Sequence, residues 1–155
     1  MQPYRKCVAI FLIKDSKVFA GSRVDIRSAW QLPQGGVEEG ESLLDAAKRE
    51  LFEETNVSST EFLGMSASYY YDFPLHIQQI IIRKRGRLKY KGQEITFIAF
   101  KFLGDEKEIN IEKTPQEFME WKWESPQKLL HQIVSFKKKA YGLALEEFIK
   151  NNYLG

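Results

Sequence analysis

Apolar residues fall into unbroken runs in some parts of the chain and into helical spacing in others. In "KCVAIFLIK" (6–14) every position from 7 to 13 is apolar, which predicts a short strand buried on both faces. "KVFAGSR" (17–23) predicts a second strand, joined to the first by a turn at Asp15–Ser16. "AWQLP" (29–33) reads as a short strand running into a glycine turn, "QGG" (34–36). "SLLDAAKRELFEET" (42–55) has helical spacing, with Ser42 as N-cap and Asp45 three residues on. Asn56 then supplies a residue that tolerates the left-handed conformation ending many helices. Strands are expected at "EFLGMSASYYYDF" (61–73), "HIQQIIIRK" (76–84) and "QEITFIAFKFL" (93–103), with the basic "RKRGRLKYK" (83–91) turning between the last two. Trp121 and Trp123 have strand spacing, with one ring buried and a structural role. Two helices close the chain, one from Ser125–Pro126 and one from Ser135 to about Asn151. Strands and helices mix without regular alternation, which predicts an α+β fold: a mixed β-sheet with α-helices on its faces.

Composition narrows this picture only a little. The 155 residues are 43% hydrophobic and 28% charged, as expected of one globular domain spanning 1–155. Neither internal repeats nor low-complexity linkers divide the chain. A net charge of +2 selects no class of partner. The single cysteine, Cys7, excludes an intramolecular disulfide and suits a reducing, cytoplasmic setting. The run 7–13 is too short to cross a bilayer, and no small-residue cleavage site follows Arg5 and Lys6, so no membrane association is expected. Nor does anything point to an obligate protein partner.

One stretch of the long helix works against its own stability. "KRELFEET" (48–55) carries Glu50, Glu53 and Glu54, and like charges three or four residues apart cost a helix a few tenths of a kcal/mol per pair. At about 100° per residue the three acids share one sector, beside the apolar sector of Leu44, Ala47 and Leu51. The carboxylates are therefore expected at the rim of the core. Clustered carboxylate oxygens suit hard divalent cations, and Gly35–Gly36 just upstream lets backbone approach the same point closely. Taken alone, the acids read more simply as a solvated helix face.

The ordering around them is more specific. Gly35, five residues, Glu41, seven residues and then "RELFEETNV" (49–57) together resemble the Nudix box, the signature of Nudix hydrolases, with Asn56 standing where the family usually has glycine. The resemblance implies a Nudix fold, a mixed sheet sandwiched between helices, with a loop–helix–loop that binds Mg²⁺, or Mn²⁺ in its place. It implies Glu50, Glu53 and Glu54 as metal-binding glutamates, one of them a base toward water. By the same resemblance Arg49 holds the glutamates, Glu41 anchors loop to helix, and Gly35 offers a main-chain carbonyl. The reaction implied is hydrolysis of a phosphoanhydride in a nucleoside diphosphate linked to a further group.

Beyond the box, "YR" (4–5), "WQLPQ" (30–34), "YDFP" (71–74), "GQ" (92–93), "EFMEWKW" (117–123) and "VSFKKKAY" (134–141) resemble the RNA pyrophosphohydrolase and asymmetric dinucleoside polyphosphate hydrolase branch of that family. That resemblance implies Glu117 as a further metal ligand or base, Arg23 and Phe136 as a sandwich for a nucleobase, and Arg5 and Lys137 as phosphate contacts. Gln34, Tyr71 and Gln93 complete the implied substrate set. Plainer readings stand beside these: core packing for Phe136, sheet packing for Tyr71, surface charge for Arg23. Lys6, Gln116 and Glu94 depart from the branch pattern, the last two beside Glu117 and Gln93. The segment 83–91 carries six basic residues in nine, either a solvated loop or a guide for a polyanion. The activities implied are conversion of 5′-triphosphate or diphosphate RNA ends to monophosphate, or asymmetric cleavage of diadenosine tetraphosphate. A reading of another class is a binding module that holds nucleotide or RNA ends without turnover. The partners expected are thus RNA 5′ ends or dinucleoside polyphosphates.

Overall fold

The computed structural model describes residues 3–24 and 29–154. Among these residues seven strands form one mixed sheet: β1 (Tyr4–Lys14), β2 (Lys17–Arg23), β3 (Trp30–Gln31), β4 (Gln34–Gly36), β5 (Thr60–Asp72), β6 (Gly92–Phe102) and β7 (Phe118–Glu124). Their order is β3-β2-β1-β6-β5, with β4 beside β1 and β7 beside β2. β1 and β6 run parallel from Tyr4↔Gly92 to Ile13↔Lys101, and the other pairings are antiparallel. The described residues also form four helices, α1 (Leu43–Thr55), α2 (Leu75–Arg85), α3 (Pro126–Gln132) and α4 (Lys138–Lys150), of which α1, α3 and α4 pack on the sheet while α2 buries none of its residues.

β1 explains why its apolar run shows no alternation. Cys7, Ala9, Phe11 and Ile13 belong to a core shared with Leu129 of α3 and Tyr141, Leu145 and Phe148 of α4. Val8, Ile10 and Leu12 point the other way, into a core with Ala46, Ala47 and Leu51 of α1. Side chains alternate sides along a strand, so a strand covered on both faces must be apolar at every position. Phe11 packs edge-on against Phe148 (centroids 4.9 Å apart) and stacks on Tyr141 at 5.3 Å.

Several expectations need correction. Residues 76–84 form most of α2 rather than a strand. β5 and β6 pair directly with each other, Tyr71↔Gln93 among the partners, which leaves no slot between them. Pro74, which lacks an N–H for a ladder, sits at the N-cap, and Gly86 (φ 82°) ends the helix. Ile77 and Ile81, one turn apart, are half-buried, whereas Leu75, Ile80 and Ile82 stay exposed. The basic segment is consequently not all turn. Arg83, Lys84 and Arg85 make the last turn of α2, where they face the partial negative charge of the helix end.

The "QGG" segment is the strand β4, paired at Ala9↔Gln34 and Cys7↔Gly36, and β3 is only two residues long. Both Trp121 and Trp123 are half-buried against the α1-side core, where one buried ring was expected, and Trp121 stacks on Phe19 at 5.6 Å. A 3₁₀ turn over Ser135–Lys137 precedes α4, so the last helix starts three residues later than its spacing implies.

The cap of α1 ties the helix to a distant loop. Ser42 accepts a hydrogen bond from the Asp45 N–H at 3.0 Å, and Asn56 closes the helix at φ 68°, donating its N–H to the Phe52 carbonyl. The Asn56 amide also donates to the Glu108 carbonyl (3.0 Å) and accepts from Lys113 (3.1 Å), bonds that a glycine has no side chain to make. Asn56→Ala keeps neither the tolerance for positive φ nor these two bonds, whereas Asn56→Gly loses only the bonds. In urea unfolding, Asn56→Ala is expected to be the less stable variant by about 1 kcal/mol. Equal midpoints for Asn56→Ala and the parent chain would contradict this account of the cap.

Candidate active site

Helix α1 brings the acids to the sheet because its buried face is wider than its apolar pattern suggests. Ala46, Ala47, Leu51, Glu54 and Thr55 are all buried, so Glu54 sits inside the fold, 6% exposed, instead of at its rim. Glu50 is half-buried, and Glu53 points outward with its side chain 56% exposed. A buried carboxylate among apolar residues is costly unless it is neutralised or paired.

Arg49 organises the loop and the helix around these acids. Nε and Nη2 donate to the two oxygens of Glu41, at 2.8 and 2.9 Å, in a two-pronged pair. Nη2 also donates to the Gly36 carbonyl at 2.8 Å, while Nη1 donates to Glu50 at 2.8 Å and Glu53 at 3.3 Å. Glu41 in turn accepts the Glu38 N–H at 3.0 Å. The Arg49 bonds hold the Glu41 carboxyl down at about 2, and the pair with Glu41 is likewise the chief reason that Arg49 is held firmly protonated. A lysine, with no planar fork, could not serve all these acceptors.

Glu50 and Glu54 approach closely enough to share a proton. Burial, then the neighbouring Glu50 charge, pushes the Glu54 carboxyl well above the usual carboxylate range, and the Glu117 charge adds to the effect. Burial also raises Glu50, against the opposing pull of Arg49. The Gln34 backbone donates to Glu54, yet Glu54 Oε1 is buried with no hydrogen-bond partner among the described residues. Gly35 lies against Glu50 so tightly that a Cβ there would stand 2.0 Å from the Glu50 carboxyl carbon. A side chain at 35 would therefore collide with the Glu50 carboxyl and push it off the backbone.

Among the described residues no group of three acidic, histidine or cysteine side chains is gathered as a ready-made metal cage. The fit to a cation rests on the repelling pair, the orphaned Glu54 oxygen, the approach of Glu117 and the open backbone at Gly35. Such a set suits a hard divalent ion that completes its shell with water and phosphate oxygens. Glu50, Glu54 and Glu117, with the Gly35 carbonyl, are groups that could hold it, and Glu53, one turn from Glu50 and bonded to the same Arg49 nitrogen, could join the ion's shell from the solvent side.

The expected substrate residues come from several elements. Arg5 lies over Gly36, where a Cβ would meet its guanidinium at 2.5 Å, and pairs across the sheet with Gln93. Gln93 pairs in turn with Tyr71 and accepts a hydrogen bond from its hydroxyl. Phe136 meets Tyr71 edge-on at 5.6 Å, and Lys137 lies 5.9 Å from the Phe136 ring. Gln34, Tyr71 and Lys137 line a cleft floored by Ile95, Phe97 and Tyr141. Arg23 stands at a bulge between β2 and β7, next to Val24, whose N–H donates to the Glu117 carbonyl. Main-chain contributions from Gln34 to Glu54 and from Gly36 to Arg49 were not expected, because side-chain identity carries no signal for a backbone contact.

The family profile described as NUDIX domain matches residues 3–143, and the chain belongs to the Nudix family of hydrolases. Nudix hydrolases use divalent metal ions. The chain is similar to an RNA pyrophosphohydrolase from Bartonella clarridgeiae, 38% identical over 94% of this chain and 90% of that protein. The RNA pyrophosphohydrolase of Dinoroseobacter shibae is 42% identical over 94% of this chain and 92% of its own. Among solved structures, the Escherichia coli dihydroneopterin triphosphate pyrophosphohydrolase shares the fold with a TM-score of 0.66 at 20% identity, over 97% of this chain and 99% of that one.

The acid pair makes a prediction with a defined sign. Folding lifts the Glu54 carboxyl above its unfolded value of about 4.3, so above that pH unfolding releases a proton. Metal-free stability from this group therefore falls as pH rises. At pH 8, Glu54→Gln is expected to melt higher than the parent without metal. It should also lose most of the stabilisation that millimolar divalent cation gives the parent. Scanning calorimetry with and without cation tests both, and undiminished stabilisation of the variant would remove Glu54 from the cation site.

Proposed function

We propose that the chain, a single domain over 1–155, is an Mg²⁺-dependent hydrolase, with Mn²⁺ as substitute, that trims 5′-triphosphate or diphosphate RNA ends to monophosphates. The observation that carries this reading is the pair of half-buried Glu50 and buried Glu54, with Glu50 against Gly35, a self-repelling site that a divalent ion and a phosphate chain would neutralise. The family and the names of its similar relatives support the reaction and the RNA substrate. The unpaired, buried Cys7 agrees with a cytoplasmic setting, and no helix among the described residues is long and apolar enough to cross a membrane.

When bound, the cation supplies charge neutralisation of the phosphates and a lower pKa for attacking water. The chain's own groups do the rest. Glu50, Glu54 and Glu117 surround the place where negative charge gathers, and a raised carboxyl among them can hold the proton that water gives up. Arg49 fixes the direction of Glu50 and Glu53, so the carboxylates need not reorganise during the reaction. Arg5 and Lys137 provide positive charge for the phosphate chain, and Tyr71 and Phe136 provide ring surface for a nucleobase; stacking of unpaired bases on aromatic side chains is common in single-stranded RNA recognition.

Two measurements test this. Given equimolar 5′-triphosphorylated RNA and diadenosine tetraphosphate with Mg²⁺, the protein is expected to convert the RNA end faster. Faster loss of the dinucleotide would move the assignment to dinucleoside polyphosphate hydrolysis, and turnover of neither would favour a binding module. Glu53→Gln is expected to abolish turnover with little change in melting temperature, since an exposed ion pair contributes at most about 1 kcal/mol. Parent-level turnover by that variant would exclude Glu53 from the reaction.

A further inference from the structure

A second cleft opens beside Glu50 and Arg49. It holds about 480 Å³ and is lined by Tyr4, Arg5, Lys6, Arg49 and Glu50, with Gly36, Val37 and Glu38 between them and Tyr90 at its border; Glu38 lies 3.9 Å from Arg49. Its inner end is thus the glutamate site itself. Its outer end is aromatic and basic. Lys89 lies 5.4 Å from the Tyr90 ring and Lys91 4.6 Å from the Tyr4 ring, while Arg5 and Lys6 are exposed on β1. Loop 87–91 then leads back to Arg83, Lys84 and Arg85 at the end of α2.

The wall is held in place. The Lys91 N–H donates to the Pro3 carbonyl at 3.0 Å, and the Phe73 N–H donates to the Lys91 carbonyl at 2.8 Å, pinning the loop next to Tyr90. Tyr4 is fixed by a 2.5 Å hydrogen bond from its hydroxyl to Asp72 and by edge-on packing on Tyr70. Tyr90 is half-buried, so part of its surface is open to the cleft. A fixed, partly open ring among lysines offers a stacking platform along an electropositive track.

We propose that this cleft carries the RNA strand beyond its reacting end, with an unpaired base stacked on Tyr90 and the following phosphates drawn along Lys6, Lys89 and the end of α2. The proposal rests on the RNA reading above and adds residues that it does not use. The occupant is a single strand of RNA rather than a dinucleotide. The basic track continues past the cleft onto α2, where only a longer polyanion would reach it.

The test measures kcat/KM on unstructured 5′-triphosphorylated RNAs of about two, four and eight nucleotides. For the parent chain, kcat/KM should rise with length. Tyr90→Ala should flatten that rise, with about a ten-fold loss on the longest RNA, and Tyr90→Trp should restore it. Lys6→Ala should lower the salt slope of octamer binding by about 0.7. Circular dichroism and melting of each variant establish that it is folded. A parent with no length dependence, a Tyr90→Ala variant that keeps it, or an equal loss at every length and on diadenosine tetraphosphate would each overturn the proposal. If no RNA is turned over, the RNA-hydrolase reading fails. Fluorescence anisotropy with a 5′-hydroxyl octaribonucleotide then decides the cleft on its own, weaker binding by Tyr90→Ala supporting it and equal binding overturning it.

Discussion

Two carboxyl groups that repel one another inside a protein must be held there by something stronger than their repulsion. Here the force is the packing of α1 onto β1. Ala46, Ala47 and Leu51 dock on Val8, Ile10 and Leu12, and Glu50 and Glu54 are carried in on the same helix face. A large buried aliphatic side chain contributes roughly 1.5–3 kcal/mol, so a few such contacts exceed the cost of one neutralised carboxyl. The site is therefore strained by electrostatics and secured by apolar burial a few ångströms away.

Arg49 is the second half of that arrangement. Its bonds join three parts of the chain that are local in sequence but need not stay together: the loop at Glu41, the strand end at Gly36 and the helix at Glu50 and Glu53. With that fork in place, α1 cannot rotate relative to β4 without breaking several charge-assisted bonds. Gly35 completes the geometry because its lack of a side chain lets the Glu50 carboxyl lie directly against the backbone. The raised carboxyls and the orphaned oxygen of Glu54 follow from this enforced closeness.

Parallel pairing of β1 with β6 sets what surrounds the site. It places Arg5 beside Gln93, and the antiparallel partner β5 places Tyr71 next in line. Three residues far apart in sequence thus form a row leading from the glycine strand to Phe136. The same N-terminal end of β1 carries Tyr4 and Lys6 on the border of the Tyr90 cleft. One strand end therefore borders both regions into which a polyphosphate substrate could extend.

Much of this was legible in the sequence, for physical reasons. A seven-residue apolar run, short and partly β-branched, reads as a strand covered on both sides, and β1 is one. Acids at three- and four-residue spacing, with Gly35 and Glu41 upstream, place a charged cluster on one helix whatever the rest of the chain does. Periodicity failed where neighbours decide. The isoleucines of 76–84 suit a strand by residue type, yet β5 and β6 occupy each other's edges and Pro74 starts a helix instead. Burial of Glu54 was hidden because the width of a buried helix face depends on the sheet it lands on. The gathering of Tyr4, Lys6 and Tyr90 was hidden because it depends on strand order. Local spacing by itself determined the acid cluster and its helix. Only the tertiary structure decided how deeply the acids are buried and what stands around them, because desolvation and cross-strand proximity exist only once the sheet has formed.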